Sequence, residues 1–599
     1  MNTRSNTIIT AMFLVAFGSI SCQVNEPITH LDNQQSVYEP SVPPASNNYS
    51  LGQDSLPNPA IRKGKSFQFQ IASSKIFPGT KRTITVYVPD AYRGDKPACV
   101  YIGLDGLGFN AQTVFDNLIS RHAMPVTIGI GVPPGLVSTA EPSDNPRFDR
   151  SLEFDSLDDR LVRFLLEEVL PQVQAHRTPD RVPILLSSNP DDRAIGGGST
   201  GAIGAFTAAW NRPDAFHRVF SAIGTYVGMR GGEQYYVLVR KTEPKPIRIF
   251  MQDGVHDEWD GGPEMGDWWM SNQTLSRALE FGGYNVRHVW GVGTHDARQA
   301  ASVFPDAMLW LWKDWPAPVR SGRSGNPVLK SILDPDENWQ AVTNLCSLPN
   351  ALASDRQGRI FYQNGNGKDC LQAPSSTFFA FGPEGSLYSA LANGGISISE
   401  SGVSAGKPTT IARDLSIRMF TVRSNGDIYA TTTGSNGRNE AWLIRRSGDR
   451  LRLSGDLRSA SGVAFSPDDR WLFVAQYESR KGLSYRVLPD GTLDSVAPFY
   501  DFYVPSDSDY SGASAISMDQ AGRAYVATRF GIQVFDRNGR VTAIIPLPGN
   551  VEATGIAFGD SDFRTLYVLG GGKVFKRKLQ AVGAPPWGAP ITLPHWGPS

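Results

Sequence analysis

The stretch Arg193-Ala-Ile-Gly-Gly-Gly-Ser199-Thr-Gly201 decides how the first half of this chain folds. A short apolar run ends in glycines, and Ala202–Trp210 follows with the composition of a helix. Within it Gly197-Gly-Ser199-Thr-Gly201 is a G-x-S-x-G pattern, which makes a sharp strand-to-helix turn and pushes the serine hydroxyl outward. Small residues flank the serine because that turn is crowded. With 60 glycines in 599 residues the pattern arises by chance about as often as not. Its weight comes from its place between a strand and a helix.

Working outward, short β-branched or aromatic runs alternate with helical patterns over about residues 60–315. Strands are expected at Thr83–Val88, Cys99–Leu104, Val126–Ile130, Arg193–Gly196, Arg218–Ile223, Ile247–Gln252 and Val286–Trp290. Leu157, Leu161, Phe164, Leu165 and Val169 lie on one helical face. Such alternation predicts an α/β domain, a mostly parallel sheet with helices on both faces.

The partners of a serine nucleophile are expected later in the chain, in the order Ser, acid, His. Asp253-Gly-Val-His-Asp257 follows one strand and Gly291-Val-Gly-Thr-His295 the next, at the rim where α/β sites assemble. His295 is the expected base. Asp257 is the expected acid, with Asp253, nearer the strand, as the alternative. His256, Asp257, Glu258 and Asp260 also resemble metal ligands, but they are contiguous rather than spaced on one face, and no metal is assigned. A serine hydroxyl needs such a base, and the imidazolium that forms needs a carboxylate. The tetrahedral oxyanion needs two N–H donors. Thr200 is one. The other is sought in Asp105-Gly106-Leu107-Gly108, with Leu107 preferred and Gly106 as alternative. Asp105 is also expected to touch substrate. Trp268-Trp269 is read either as a stacking platform for a sugar or aryl group or as helix packing. Arg147, Arg150 and Glu153 are read as helix-end charge pairs or site-lining groups, and Glu141 has no assigned role.

From about residue 330 the helical period disappears and a short unit recurs. Its copies are Gly358-Arg-Ile-Phe361, Gly385-Ser-Leu-Tyr388, Gly426-Asp-Ile-Tyr429, Arg470-Trp-Leu-Phe473, Gly522-Arg-Ala-Tyr525 and Arg564-Thr-Leu-Tyr567. Six turn-plus-strand units spaced by tens of residues predict an all-β propeller of six four-stranded blades. The expected layout is a signal peptide at 1–22, a disordered tether at 23–58, an α/β hydrolase domain at 59–315, a linker at 316–329 and the propeller at 330–599.

Arg4, the apolar run Ile8–Phe17 and Gly18-Ser19-Ile20-Ser21-Cys22 read as an export signal, too short to span a membrane. Cys22 stands where a lipoprotein carries its lipid, although Ser19 departs from that pattern; plain secretion is the alternative. Export leaves open a Cys346–Cys370 pairing, while Cys99 reads as a core thiol. Charges of 57 Lys+Arg against 58 Asp+Glu argue against a nucleic-acid partner.

Tyr101-Ile-Gly-Leu-Asp-Gly-Leu107, the Ser199 turn, Gly254-Val-His-Asp257 and His295 resemble the esterase-D/enterochelin-esterase group, which includes feruloyl esterases and mycolyltransferases. That resemblance, over about residues 65–315, implies metal-independent serine hydrolysis of carboxylic esters and favours Leu107 as second oxyanion donor. Gly462-Val-Ala-Phe-Ser-Pro-Asp468, Ala521-Gly-Arg-Ala-Tyr-Val-Ala-Thr528 and Gly531-Ile-Gln-Val-Phe-Asp are similar to the gluconolactonase/senescence-marker family. Its divalent-metal ligands fall near Asn350, Ser461, Ser514 and Arg418, so the resemblance implies a propeller that has lost its metal. No cofactor is expected. The leading expectation is an exported serine esterase acting on a small-molecule or polysaccharide ester. A metal-dependent sugar lactonase and a non-enzymatic surface binding protein are the alternatives.

Overall fold

The computed structural model describes residues 49–141, 144–257, 264–342, 351–363, 370–371, 376–400, 402, 407–434, 438–504 and 508–594. The signal peptide, Cys22, most of the tether, Glu258, Asp260, Cys346 and Asn350 lie outside them.

Eight strands make the main sheet of the first domain: β1 (Lys65–Ile71), β2 (Thr80–Val88), β3 (Cys99–Leu104), β4 (Thr127–Val132), β5 (Arg193–Gly198), β6 (Arg218–Ala222), β7 (Arg248–Gly254) and β8 (Asn285–Gly291). Their order is β1-β2-β4-β3-β5-β6-β7-β8, and two-residue strands at Leu136–Val137 and Arg147–Phe148 extend it beside β2. From β4 to β8 every pairing is parallel; β1 and β2 run antiparallel to their neighbours. Every residue of β3, β4, β6 and β7 is buried, as a sheet covered on both faces requires. Helices α1 (Ala111–Ser120), α2 (Thr200–Asn211), α3 (Trp268–Gly282) and α4 (Ala297–Leu311) supply the cover. Phe115 of α1 and Phe304 of α4 pack on one face, while Phe206 of α2 and Leu279 of α3 pack on the other. Of the face read from Leu157 to Val169, Leu161 to Val169 lie in Arg160–Phe164 and a π turn at Leu165–Val169, continued by Leu170–Ala175, while Leu157 precedes the helix.

The second domain is a ring of antiparallel sheets. Its inner strands, Leu352–Ser354, Ser376–Phe381, Ile417–Val422, Ala460–Phe465, Ala515–Asp519 and Ala553–Gly559, pack each against the next, and the last packs against the first. The aromatics of the six repeats, Phe361, Tyr388, Tyr429, Phe473, Tyr525 and Tyr567, are all buried in second strands. The expected six four-stranded blades are corrected to five among the described residues, one of them carrying Gly583–Ala584 as a fifth strand, accompanied by one three-stranded sheet. In that sheet the third strand, Cys370–Leu371, pairs in parallel with the second. The sequence between them, Asn-Gly-Asn-Gly-Lys-Asp, has none of the apolar alternation of a blade strand. Gln340–Ala341 closes the ring by pairing with Lys573–Lys578 of the last blade.

The two domains are bolted together. Glu243 accepts two hydrogen bonds from Arg577, both 2.8 Å, and the Arg577 side chain is 3% exposed. The Glu243 N–H donates to Ile544 O at 3.0 Å and Lys241 Nζ to Tyr503 Oη at 2.8 Å. Asn550 Nδ2 donates to Asn211 O at 2.6 Å. The segment expected as a linker is itself anchored: Asn326 Nδ2 donates to Arg240 O and Thr542 O and caps the short helix Pro327–Ile332. Glu243 precedes β7, and Asn211 ends α2. The propeller therefore docks on the N-terminal edge of the sheet.

Candidate active site

Strand β5 ends at Gly198 and α2 begins at Thr200. Ser199 between them has φ +56° and ψ −124°, a conformation sparsely populated by L-residues. Close approach explains the small neighbours. A Cβ on Gly197 would meet Gly201 backbone at 2.7 Å, and one on Gly196 would meet Phe220 at 2.8 Å. The turn directs the Ser199 hydroxyl at His295, whose Nε2 lies 2.8 Å from Oγ. His295 Nδ1 lies 2.9 Å from both Asp257 oxygens. A ring nitrogen facing a carboxylate carries the proton, which leaves Nε2 as the acceptor for the serine O–H. Asp257 is fully buried, whereas the His295 side chain is 17% exposed and reachable from solvent.

Asp253, weighed as the alternative acid, is also fully buried, but its Oδ1 accepts the Gly254 N–H at 2.8 Å. Burial, then the adjacent Asp257 charge, pushes its carboxyl well above the usual carboxylate range.

Asp105 (φ +64°) and Gly106 (φ +107°) turn the loop after β3 toward this centre. Gly131 makes room for it, since a Cβ there would meet Leu107 N at 2.9 Å. The Leu107 and Thr200 amides have no hydrogen-bond partner among the described residues. Thr200 is the first residue of α2, where the helix dipole favours negative charge. Asp105 accepts both Nε and Nη2 of Arg150 at 2.8 Å, and Arg150 Nη2 also reaches Gly198 O at 3.5 Å. Its carboxylate thus anchors the loop to the first residue of the short helix Arg150–Phe154. Arg147 pairs with Asp149, and Glu153 is buried against Arg82 at 2.6 and 2.7 Å.

The stacking-platform reading of Trp268 is corrected. This ring is 2% exposed; it meets His295 edge-on at 5.6 Å and its Nε1 donates to Thr225 Oγ1 at 3.2 Å. Trp269, partly buried, packs edge-on against Trp290 at 5.3 Å. Both serve the helix-packing reading, because Asp267 caps α3 and turns its first residues inward.

Sequence reasoning missed Thr225. Its Oγ1 is 3.2 Å from Ser199 Oγ and its N–H donates to Ser199 O at 3.3 Å. No motif contains it; only the fold of the loop after β6 brings it there. Asp155 was missed as well. It is 1% exposed, beside the Thr200 and Ser151 hydroxyls, and burial pushes its carboxyl up to about 6.

Among the described residues, those at the expected ligand positions do not suit a divalent metal. Ser461 Oγ donates to Ala513 O, and Ser514 Oγ lies 3.2 Å from Ala553 O. These hydroxyls are spent on carbonyls of the neighbouring blade, and Arg418 brings a positive charge.

Residues 367–571 match the family model of the SMP-30/gluconolactonase/LRE-like region. No curated protein matches the chain significantly. Among solved structures, a Xanthomonas campestris gluconolactonase is 20% identical with TM-score 0.35, covering 42% of this chain and 93% of its own. The Shigella flexneri enterobactin esterase is 20% identical with TM-score 0.33, covering 44% of this chain and 62% of its own. A ferulic acid esterase is 16% identical with TM-score 0.33, covering 42% and 99%. The "Esterase" family model matches residues 74–382, just over half of the chain. The protein therefore belongs to this esterase family and is a carboxylic ester hydrolase.

Proposed function

We propose that the protein is an exported serine esterase that works through an acyl-enzyme. The observation that carries this is the unbroken line of hydrogen bonds from buried Asp257 through His295 to a strained, outward-turned Ser199. Ser199 Oγ attacks the ester carbonyl while His295 Nε2 takes its proton. The oxyanion is held by the Thr200 and Leu107 amides. His295 then returns the proton to the departing alcohol, leaving Ser199 acylated. Water, deprotonated by His295, adds to the acyl carbonyl; collapse releases the acid and restores the serine.

Acylated carbohydrate is the proposed substrate, supported by the export signal read at residues 1–22 and by the auxiliary propeller. The proposed location is the periplasm, the outer membrane through a lipid at Cys22, or the exterior. The metal-dependent lactonase reading has the gluconolactonase-like match of residues 367–571 in its favour, and the engaged hydroxyls at Ser461 and Ser514 against it. Wild type should hydrolyse p-nitrophenyl acetate, and Ser199→Ala should lower kcat by at least about 1,000-fold. Retained activity in that variant refutes the mechanism. A screen of acetyl, feruloyl, glucuronoyl and siderophore esters then assigns the substrate.

A further inference from the structure

Between the domains lies a cavity of about 260 Å³. It is small against the several hundred Å³ of pockets for drug-sized ligands. Its walls come from both sides: Asp158, Trp210 and Lys245 from the hydrolase, Arg529, Asn550 and Glu552 from the propeller. It is separate from the catalytic centre. Trp210 and Asn211 end α2 while Ser199 precedes its start, and a 12-residue helix is ~18 Å long.

Lys245 gives this cavity its chemistry. The residue is 5% exposed, and its Nζ donates to Trp210 O at 2.6 Å and sits 4.3 Å above the Trp210 ring. An ammonium has three donors, and Trp210 O is the one acceptor recorded for it among the described residues. The same carbonyl receives Asn550 Nδ2 at 3.4 Å, which puts the ammonium next to the propeller side of the cavity. A buried cation with unused donors is costly unless an anion reaches it. The carboxylates nearby are engaged elsewhere: Asp158 by Arg160, Asp159 by Arg163 at 3.6 Å, Glu243 by Arg577 and Glu552 by Tyr477 Oη. Arg212, also in the wall, is held by Asp214.

We propose that the interdomain cavity is a binding site for a small hydroxylated carboxylate, a single sugar acid, with its carboxylate on Lys245. The polar groups of Asp158, Asn550 and Glu552 would take its hydroxyls. The cavity size excludes an oligosaccharide. This site is independent of the serine esterase reading, because it uses none of its residues.

Burial lowers the Lys245 amine to about 7. An anion binds the protonated form, so the free protein above pH 7 must first take up a proton. Affinity should fall about tenfold for each pH unit above 7.

The test is calorimetric titration of the full chain with D-glucuronate, D-glucose and inorganic phosphate. Glucuronate should bind and glucose should not. Lys245→Met should weaken glucuronate about 10- to 100-fold and remove the pH dependence. Asn550→Ala should weaken it from the propeller side. Aryl-ester hydrolysis should be unchanged in both variants, which keeps this result apart from failure of the esterase reading. No glucuronate binding to wild type, or equal binding by Lys245→Met, overturns the proposal. Phosphate binding without glucuronate binding overturns the sugar-acid assignment.

Discussion

Replacing Thr225 with valine is the sharpest test of how the nucleophile is held. Trp268 Nε1 can only donate, so the Thr225 hydroxyl accepts from it at 3.2 Å. Its own proton is then free for Ser199 Oγ at 3.2 Å, whose hydrogen already points to His295. Valine keeps the shape and deletes both interactions. Ser199 loses one neutral hydrogen bond, worth about 1 kcal/mol, or roughly fivefold in kcat/KM. Trp268 Nε1 is left buried without an acceptor, which costs about 1–3 kcal/mol of stability. The fall should appear in kcat rather than KM, because the bond orients the reacting oxygen. Thr225→Ser should recover most of it. Steady-state kinetics on an aryl ester and a thermal melt separate the two effects. A valine variant that loses stability but keeps wild-type kcat refutes the orienting role.

Two further outcomes follow from buried charge. Burial raises the Asp155 carboxyl from 3.8 to about 6, so the folded state prefers it protonated. Stability is therefore lost as pH rises from about 4 to 6, and Asp155→Asn should stabilise the protein at pH 8 by at most about 3 kcal/mol, with no gain at pH 3. Equal denaturant midpoints at pH 8 would contradict this. Glu243→Gln leaves the Arg577 guanidinium buried against a neutral partner, and breaking such a pair costs about 3–5 kcal/mol. Calorimetry should then resolve two unfolding transitions where wild type shows coupled ones, and a single unchanged transition would count against the pair as the bolt between domains.

The sequence made Ser199, His295 and Asp257 legible because each follows a strand whose apolar run is easy to read. The parallel strands were placed to within two residues for the same reason. Lys65–Ile71 was missed, although Phe67, Phe69 and Ile71 alternate with polar residues. It is half exposed, and its apolar pattern is weaker than that of the central strands. Trp268 shows where linear reading stops. An aromatic pair beside an acid loop looks the same whether it faces solvent or core, and only the Asp267 cap and the Thr225 acceptor fix its direction. Thr225, Asp155 and Lys245 were invisible because their surroundings come from segments far apart in the chain. Six aromatic repeats revealed the ring, but not that one of its sheets has three strands among the described residues.

The docking of the propeller on the N-terminal edge of the sheet has a consequence for reach. Strand β7 runs from Arg248 near the interface to Gly254 near the acid, ~20 Å away. A single ester unit cannot touch both the propeller and Ser199. Only a chain several units long could be gripped at one end and cut at the other. On such a polymer the grip would raise the local concentration of scissile bonds without adding a contact at the bond being broken.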